Sequence, residues 1–473
     1  MAGQILGSGT TPIGPDYAIQ PSAKQVALAS NYISDFDFLN QYLPDTYEKE
    51  FERYGNRTVS SFLRMVGAEI PFTSDLIKWV EQGRLHIKYT NCASAGVAGD
   101  NVATITVNDT ISGAIAVRVG QTVHVSDNAG AAGANKAMVT AVDTANGTFD
   151  VAYYEAGGQS FAATDTLSVF VYGSEFGKGE YGMQGSLEAQ SDIFENSPII
   201  LKDKYAVNGS DMTNKGWVEV TTENGATGYL WYLKSDHETR LRFDDYLETA
   251  MIEAVPAAAG SGAATAGAKG SEGVFYTVNK RGNVWAGGNP QTLVEMDTLV
   301  ARLDKEGAIE ENILFIDREF SFDIDDMLAG LNGYNASGTS NAASFGLFDN
   351  DANMALNLGY SGFRRGYDFY KSDWKYLNDP TMRGGIGDGK VSGLLVPAGT
   401  TTVYDQVLGK NAKRPFLHVR YKATQAEDRK YKTWTVGGAG GAKTSDLDAM
   451  EVHFLSERAV CTLGANNFVI FQD

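Results

Sequence analysis

The chain has 473 residues, and 39 Lys and Arg against 58 Asp and Glu leave a formal net charge of −19. That balance argues against gripping DNA or RNA by counterion release, which needs a basic face, and against polybasic contact with a membrane. Hydrophobic residues at 43% and charged residues at 21% exclude a disordered chain, and 53 glycines, about 11% against a usual ~7%, exclude a coiled coil or an all-helical bundle. The length suggests two to four domains. No apolar run approaches the roughly 18 residues that span a bilayer. The opening Met1-Ala2-Gly3-Gln4-Ile5 lacks the basic-then-apolar order of a signal peptide, and Cys92 and Cys461 alone make no disulfide framework. A protein made and kept in a reducing cytosol is expected.

Residues 1–45 read as an arm, with Gly, Ser, Thr and Pro between Gly7 and Ser22 and an aromatic group from Phe36 to Tyr42. Such a segment gains order only by lying on something else. From Leu43 to Gly83 the spacing of Tyr47, Phe51 and Tyr54, and later Leu76, Trp79 and Val80, predicts helix. The text then changes. Between Ala93 and Glu175 there are eight acids, two bases and no proline, and the period becomes two, as in Val102–Val107, Thr122–Val125, Met138–Val142, Thr148–Val151 and Leu167–Val171. Short strands separated by turns such as Asn146-Gly147 predict a small barrel or sandwich, inserted into the surrounding chain.

Ser197 to Thr222 reads as loop and strand, with Asn208-Gly209 and Asn224-Gly225 as turns. Ser235 and Glu238 then form a capping box for a helix of at least five turns, with Phe243, Tyr246, Leu247, Ala250, Met251 and Ala254 as its apolar stripe and Pro256 as its stop. Ala257–Gly273 is an Ala/Gly/Ser loop. A second amphipathic helix is expected from Thr292 to Gly307, carrying Leu293, Met296, Leu299, Val300 and Leu303, with Gly307 as its C-terminal cap. Asn312–Ile316 predicts a buried strand and Ser321–Leu331 a short helix. Gly333–Gly441 reads as mostly irregular, and Met450–Gln472 as strands.

Chemical motifs fail one by one. Gly384–Val391 nearly matches a phosphate-binding loop, but Val391 stands where magnesium needs a hydroxyl and Asn378-Asp379-Pro380 precedes it instead of a strand. Asp349–Asn353 begins like a calcium loop, yet it lacks the following Gly, and Tyr360 replaces the bidentate Glu. Asp323, Asp325 and Asp326 read as carboxylates favoured at a helix start. Gly338–Ala342 misses the nucleophile elbow at its last position. His86, His124, His237, His418 and His453 are scattered without metal-ligand spacing, with His86 and His124 in strand-like text, and the two cysteines read as buried, inert thiols. No catalytic, cofactor-binding or metal-binding residue is assigned, and no cofactor is expected.

The order of parts carries more than any motif: arm, helix, extended hairpin interrupted by a β insertion, long helix, α/β region, closing strands. In this the chain resembles the major capsid proteins of tailed phages with the Hong Kong 97-type fold. Texture around Trp217, Phe275–Val278 and Ile313–Phe320 is similar to that of crAss-like phage capsid proteins. The resemblance implies an α+β fold. Its parts are an N-terminal arm at 1–50, the peripheral-domain start and first strand of the extended loop at 51–92, the inserted β domain at 93–175, and the loop's return at 176–225. A peripheral domain at 226–284 holds a spine helix at 235–255; an axial domain at 285–444 and C-terminal peripheral-domain strands at 445–473 complete it. The implied function is non-enzymatic: a subunit that self-assembles into the hexamers and pentamers of an icosahedral head enclosing double-stranded DNA, put together in the host cytoplasm. Implied partners are further copies of the chain and separate scaffold, portal and decoration proteins, with no sequence-specific nucleic acid and no membrane. Phe36, Phe38 and Tyr42 would anchor the arm on a neighbour. A β-rich extracellular adhesin or surface-array protein is the alternative reading, and a hydrolase the second.

Overall fold

A computed structural model describes residues 68–472 apart from 109–114, 131, 184, 186, 189–190, 215–219, 222–226, 229–230, 308, 334–361, 406–409 and 442. The expected arm with Phe36, Phe38 and Tyr42, the helical positions Tyr47, Phe51 and Tyr54, and Trp217, Asn224-Gly225, Gly338–Ala342 and the Asp349–Tyr360 loop lie outside the described residues. Its fold is a mixed, sheet-rich α+β one. Contacts divide the described residues into two units: those within Asp203–Arg242 and Thr433–His453 form one, and those from 68 to Lys202, within Phe243–Lys432 and from Phe454 to 472 the other.

The larger unit holds a closed six-stranded barrel. Its strands run around the wall in the order Lys88–Ala95, Val102–Val107, Thr148–Tyr153, Ala134–Asp143, Gln121–Asp127 and Leu167–Ser174, which closes on the first. The alternation read in the sequence becomes its two faces: Ile105, Val123, Val125, Ala137, Val139, Phe149, Val151, Leu167 and Val169 all point inward and are buried. Asn146-Gly147 makes the turn between two of these strands, with Gly147 at φ 67°. One polar group sits inside. Gln159 is 1% exposed; its Oε1 accepts from the Tyr153 hydroxyl at 2.9 Å, and its Nε2 donates to Phe161 O at 2.9 Å and Ser94 Oγ at 3.1 Å. Gln159→Ala strands these partners in an apolar core, so it is expected to lower stability by about 1–3 kcal/mol in a urea titration.

A mixed six-stranded sheet follows, in the order Asn283–Ala286, Val469–Gln472, Val391–Pro397, Glu311–Ile316, Tyr367–Asp373 and Gly362–Arg365. It lies between two apolar layers. Leu314, Ile316, Leu395, Val469 and Phe471 pack with the helices Leu293–Glu306 and Arg318–Gly333, while Phe315, Leu394, Val396 and Ile470 pack with Val274–Arg281, Met251, Ile252 and Trp374. A strand covered on both faces loses its alternation, which is why Val391–Pro397 is buried at every position. The helix Leu293–Glu306 begins and ends as read: Thr292 and Glu295 form a reciprocal capping box, and Gly307 closes the helix in the left-handed region at φ 68°. The same unit contains Ala68–Phe72, parallel to Leu417–Lys422, which in turn pairs antiparallel with the end of Ala449–Thr462.

In the smaller unit, the described residues include the strand residues Asp203–Asn208, the first turns of the helix Trp231–Glu253, Lys432–Gly437 from Thr433 on, and Ala449–His453. Arg242 Nε and Nη2 donate to Asp203 Oδ2 at 3.0 and 2.9 Å. Trp434 and His453 stack with ring centroids 5.2 Å apart.

Several expectations are corrected. Leu76, Trp79 and Val80 are not helical: Ala68–Phe72 and Ile77–Gln82 are strands, because Ile77 and Trp79 also read at period two and strand pairing decides the matter. The long helix runs Trp231–Glu253, starting four residues before Ser235 and ending short of 255. Ser235 is therefore no cap; its carbonyl accepts from Thr239 Oγ1 at 2.9 Å. Phe243, Leu247 and Met251 are buried as expected, but Tyr246 is 48% exposed. Asp323, Asp325 and Asp326 lie inside a helix that begins at Arg318, beyond its first turn. Within Gly333–Gly441, read as irregular, residues 362–437 contain seven strands. Their glycines and half-buried aromatics hid the period.

Candidate functional site

Among the described residues, the side chains of these near-motifs are held by their neighbours in the fold. Arg383–Gly385 is a short 3-10 turn, and Lys390 is held by Glu319 Oε2 at 2.8 Å and Asp317 Oδ2 at 3.5 Å. Val391 enters a buried strand and not a helix, so no helix N-terminus faces a phosphate there. Asp325 pairs with Lys371 Nζ at 2.6 Å, and Asp323 accepts from Asn289 Nδ2 at 2.9 Å. His86 sits in an exposed bend instead of a strand, whereas His124 lies in a barrel strand with its ring 5.4 Å from that of Phe170. Among the described residues no group of His, Cys, Asp and Glu could hold a metal ion.

The fold does bring one Cys and one His together that are distant in sequence. His418 and Cys461 stand directly across a strand pair. Burial, which disfavours the charged form, pushes the Cys461 thiol up to about 12 and holds His418 down to about 4. Nδ1 of His418 lies 3.2 Å from Pro415 O. At neutral pH this is a neutral thiol beside a neutral imidazole, the reverse of the thiolate–imidazolium pair a nucleophilic site requires. Cys92 is likewise completely buried.

What the larger unit does present is a two-stranded ribbon. Ile77–Gln82 pairs antiparallel with Ser191–Asn196, and the barrel strands occupy the chain between them. One face of the ribbon is anchored. Asn196, 4% exposed, donates to Glu272 O at 2.9 Å and Val460 O at 2.7 Å and accepts from Ser271 Oγ at 3.0 Å and Glu272 N at 2.8 Å. Arg281 lies 4.0 Å from the Phe194 ring centroid and 5.6 Å from that of Trp79, while Glu81 Oε1 accepts from Trp79 Nε1 at 2.9 Å and Gly464 N at 3.0 Å.

The opposite face is open. Lys78 and Glu195 bridge the strands at 3.0 Å, and the next pair on that face is Val80 opposite Ile193, 58% and 66% exposed. Leu85, just beyond, is 63% exposed. Among the described residues neither ribbon strand has a second neighbour. Two strands alone are marginally stable in water, and an apolar pair on a ribbon with open edges is the arrangement that another chain covers. The sequence reading missed this face, because the cross-strand spacing of Val80 and Ile193 exceeds one hundred residues and only pairing brings them together.

No family model matches the chain, and no curated protein sequence matches it. Solved structures similar to it include one titled Mycobacterium phage Ogopogo, at 9% identity and TM-score 0.40, covering 93% of this chain and 100% of that one. One titled Gordonia phage Cozz is similar at 10% identity and TM-score 0.39, covering 96% and 99%. One titled as the asymmetric unit of the bacteriophage PhiM1 mature capsid is similar at 10% identity and TM-score 0.33, covering 64% and 78%.

Proposed function

We propose that the chain is a structural protein, the major capsid subunit of a tailed phage of the Hong Kong 97 type. The observation that carries the reading is the ribbon: a long excursion of chain, anchored through Asn196 and Arg281, that offers an exposed Val80–Ile193 pair to solvent. The order of the remaining parts supports it, with a 23-residue helix followed by a helix-covered sheet and closing strands. In this reading the ribbon is the extended loop, the barrel is the inserted domain on its flank, the helix is the spine, and the six-stranded sheet is the axial domain. Subunits join as hexamers and pentamers around double-stranded DNA, with scaffold, portal and decoration proteins supplied separately. The acidic charge keeps the inner wall from sticking to the genome.

The test is the assembly state. Purified protein, alone and coexpressed with a scaffold partner, is expected to give capsomers or closed shells by sedimentation and negative-stain microscopy. A compact monomer at every concentration and salt would overturn the reading.

A further inference from the structure

The Gly384–Val391 run, which fails as a phosphate loop, holds the one Asp-Gly pair in the chain, Asp388-Gly389. The pair forms an exposed turn between Arg383–Gly385 and the buried strand Val391–Pro397, with Gly389 in the left-handed region at φ 66°. Among the described residues the Asp388 carboxylate has no hydrogen-bond or ion-pair partner, and the Gly389 N–H meets no acceptor. Outside their chain neighbours, no heavy atom comes within 4 Å of the point where a Cβ would stand on Gly387 or Gly389. Glycine on both sides, in open space, leaves the backbone around Asp388 free to rotate.

We propose that Asp388 is a site of spontaneous covalent modification, converting to isoaspartate through a cyclic imide. The Gly389 nitrogen attacks Asp388 Cγ in its carboxylic acid form. A C–N bond forms, and the acid hydroxyl leaves as water with the amide proton. Water then adds back to the imide. Opening at Cγ restores aspartate; opening at the original main-chain carbonyl leaves the chain running through Cγ, one methylene longer. One water leaves and one returns, so no other reactant is needed. Nucleophile and electrophile sit on adjoining residues, and residue 389 has no Cβ to crowd the attack.

Asn146-Gly147 and Asn208-Gly209 carry related chemistry in their sequence and are held out of it. Asn146 Nδ2 is fixed on Asp143 Oδ2 at 2.7 Å, with Gly147 buried, and Gly209 N donates to Asp448 O at 3.1 Å, which ties up the nucleophile. The turn at 388 is also placed to be felt. Gly389 O accepts from Arg383 Nη2 at 3.0 Å, and Arg383 Nη1 lies 3.5 Å from Glu253 Oε2 at the end of the helix Trp231–Glu253. An added methylene at 388 displaces the Gly389 carbonyl from Arg383.

The experiment holds the full-length protein, native and in urea, at neutral pH over several weeks and maps its peptides by mass spectrometry with electron-transfer fragmentation. The peptide spanning residue 388 is expected to split into two species of equal mass, one carrying isoaspartate at 388, in the native sample as well as the unfolded one. Asp388→Glu, whose ring would be one atom larger, should slow the conversion about tenfold or more, and Asp388→Asn should convert faster with release of ammonia. Asn208 should stay unchanged in the native sample while it converts in urea. Isoaspartate at 388 in the unfolded sample alone, or in neither sample, overturns the proposal. Neither outcome bears on the self-assembly of the chain.

Discussion

Replacing Val80 by Lys and Ile193 by Glu together is expected to leave a folded subunit that no longer assembles. Both residues are more than half exposed, so the substitutions cost the isolated subunit little, within about 0.5 kcal/mol each. The new pair stands directly across the ribbon and repeats the Lys78–Glu195 bridge one step further along, so the ribbon keeps a favourable cross-strand pair. What is lost is apolar burial against a neighbour. Covering what remains exposed of two such side chains contributes roughly 2–4 kcal/mol per contact, which raises the concentration needed for assembly by at least about thirtyfold. Sedimentation velocity over a concentration series measures this, with circular dichroism as the control for folding. Assembly at the wild-type concentration would remove the ribbon from the interface.

The largest stability effect is expected at Phe471. It is 1% exposed, its ring centre lies 4.9 Å from that of Phe320 in an edge-to-face arrangement, and it packs in the layer that holds Met296, Leu299 and Ile324. Phe471→Ala should cost about 3–5 kcal/mol, a transfer loss plus a cavity that flanking strands cannot collapse into. Ending the chain at Phe468 should be worse. Val469–Gln472 pairs on one side with Asn283–Ala286 and on the other with Val391–Pro397, so its removal exposes the backbone groups of both neighbours and cuts the edge strand off from the sheet. The truncated chain is expected to be insoluble, and urea titration of F471A gives the quantitative check. An unfolding free energy within about 1 kcal/mol of the parent would mean that the two helices close over the gap.

The residues show why some of this was legible in advance and some was not. Thr292, Glu295 and Gly307 mark their helix because a cap is a local hydrogen-bond device, complete within a few residues. Val102–Val107 and Thr148–Tyr153 announce strands because one face of a barrel wall is wet and the other dry, which writes itself into the sequence as alternation. Ser235 and Glu238 satisfy the same capping pattern and still lie inside a helix, since the chain upstream of them also took helical geometry. Leu76, Trp79 and Val80 satisfy a helical spacing, and partners more than one hundred residues away put Trp79 and Val80 in a strand, with Leu76 in the bend before it. Val391–Pro397 shows no period, because both of its faces are covered.

By itself, then, the sequence determined whatever depends on near neighbours: the caps of Leu293–Glu306, the alternating barrel strands, and the strand at Asn312–Ile316. Tertiary structure alone decided which strands share a sheet, which face of the ribbon is anchored and which is open, and that Thr122 meets Gly173 across a bulge. It also set His418 opposite Cys461 and then made both neutral by burial. The physical reason is common to all four. Pairing and desolvation are properties of residues distant in the chain, and their free energy exists only once the intervening segments have folded.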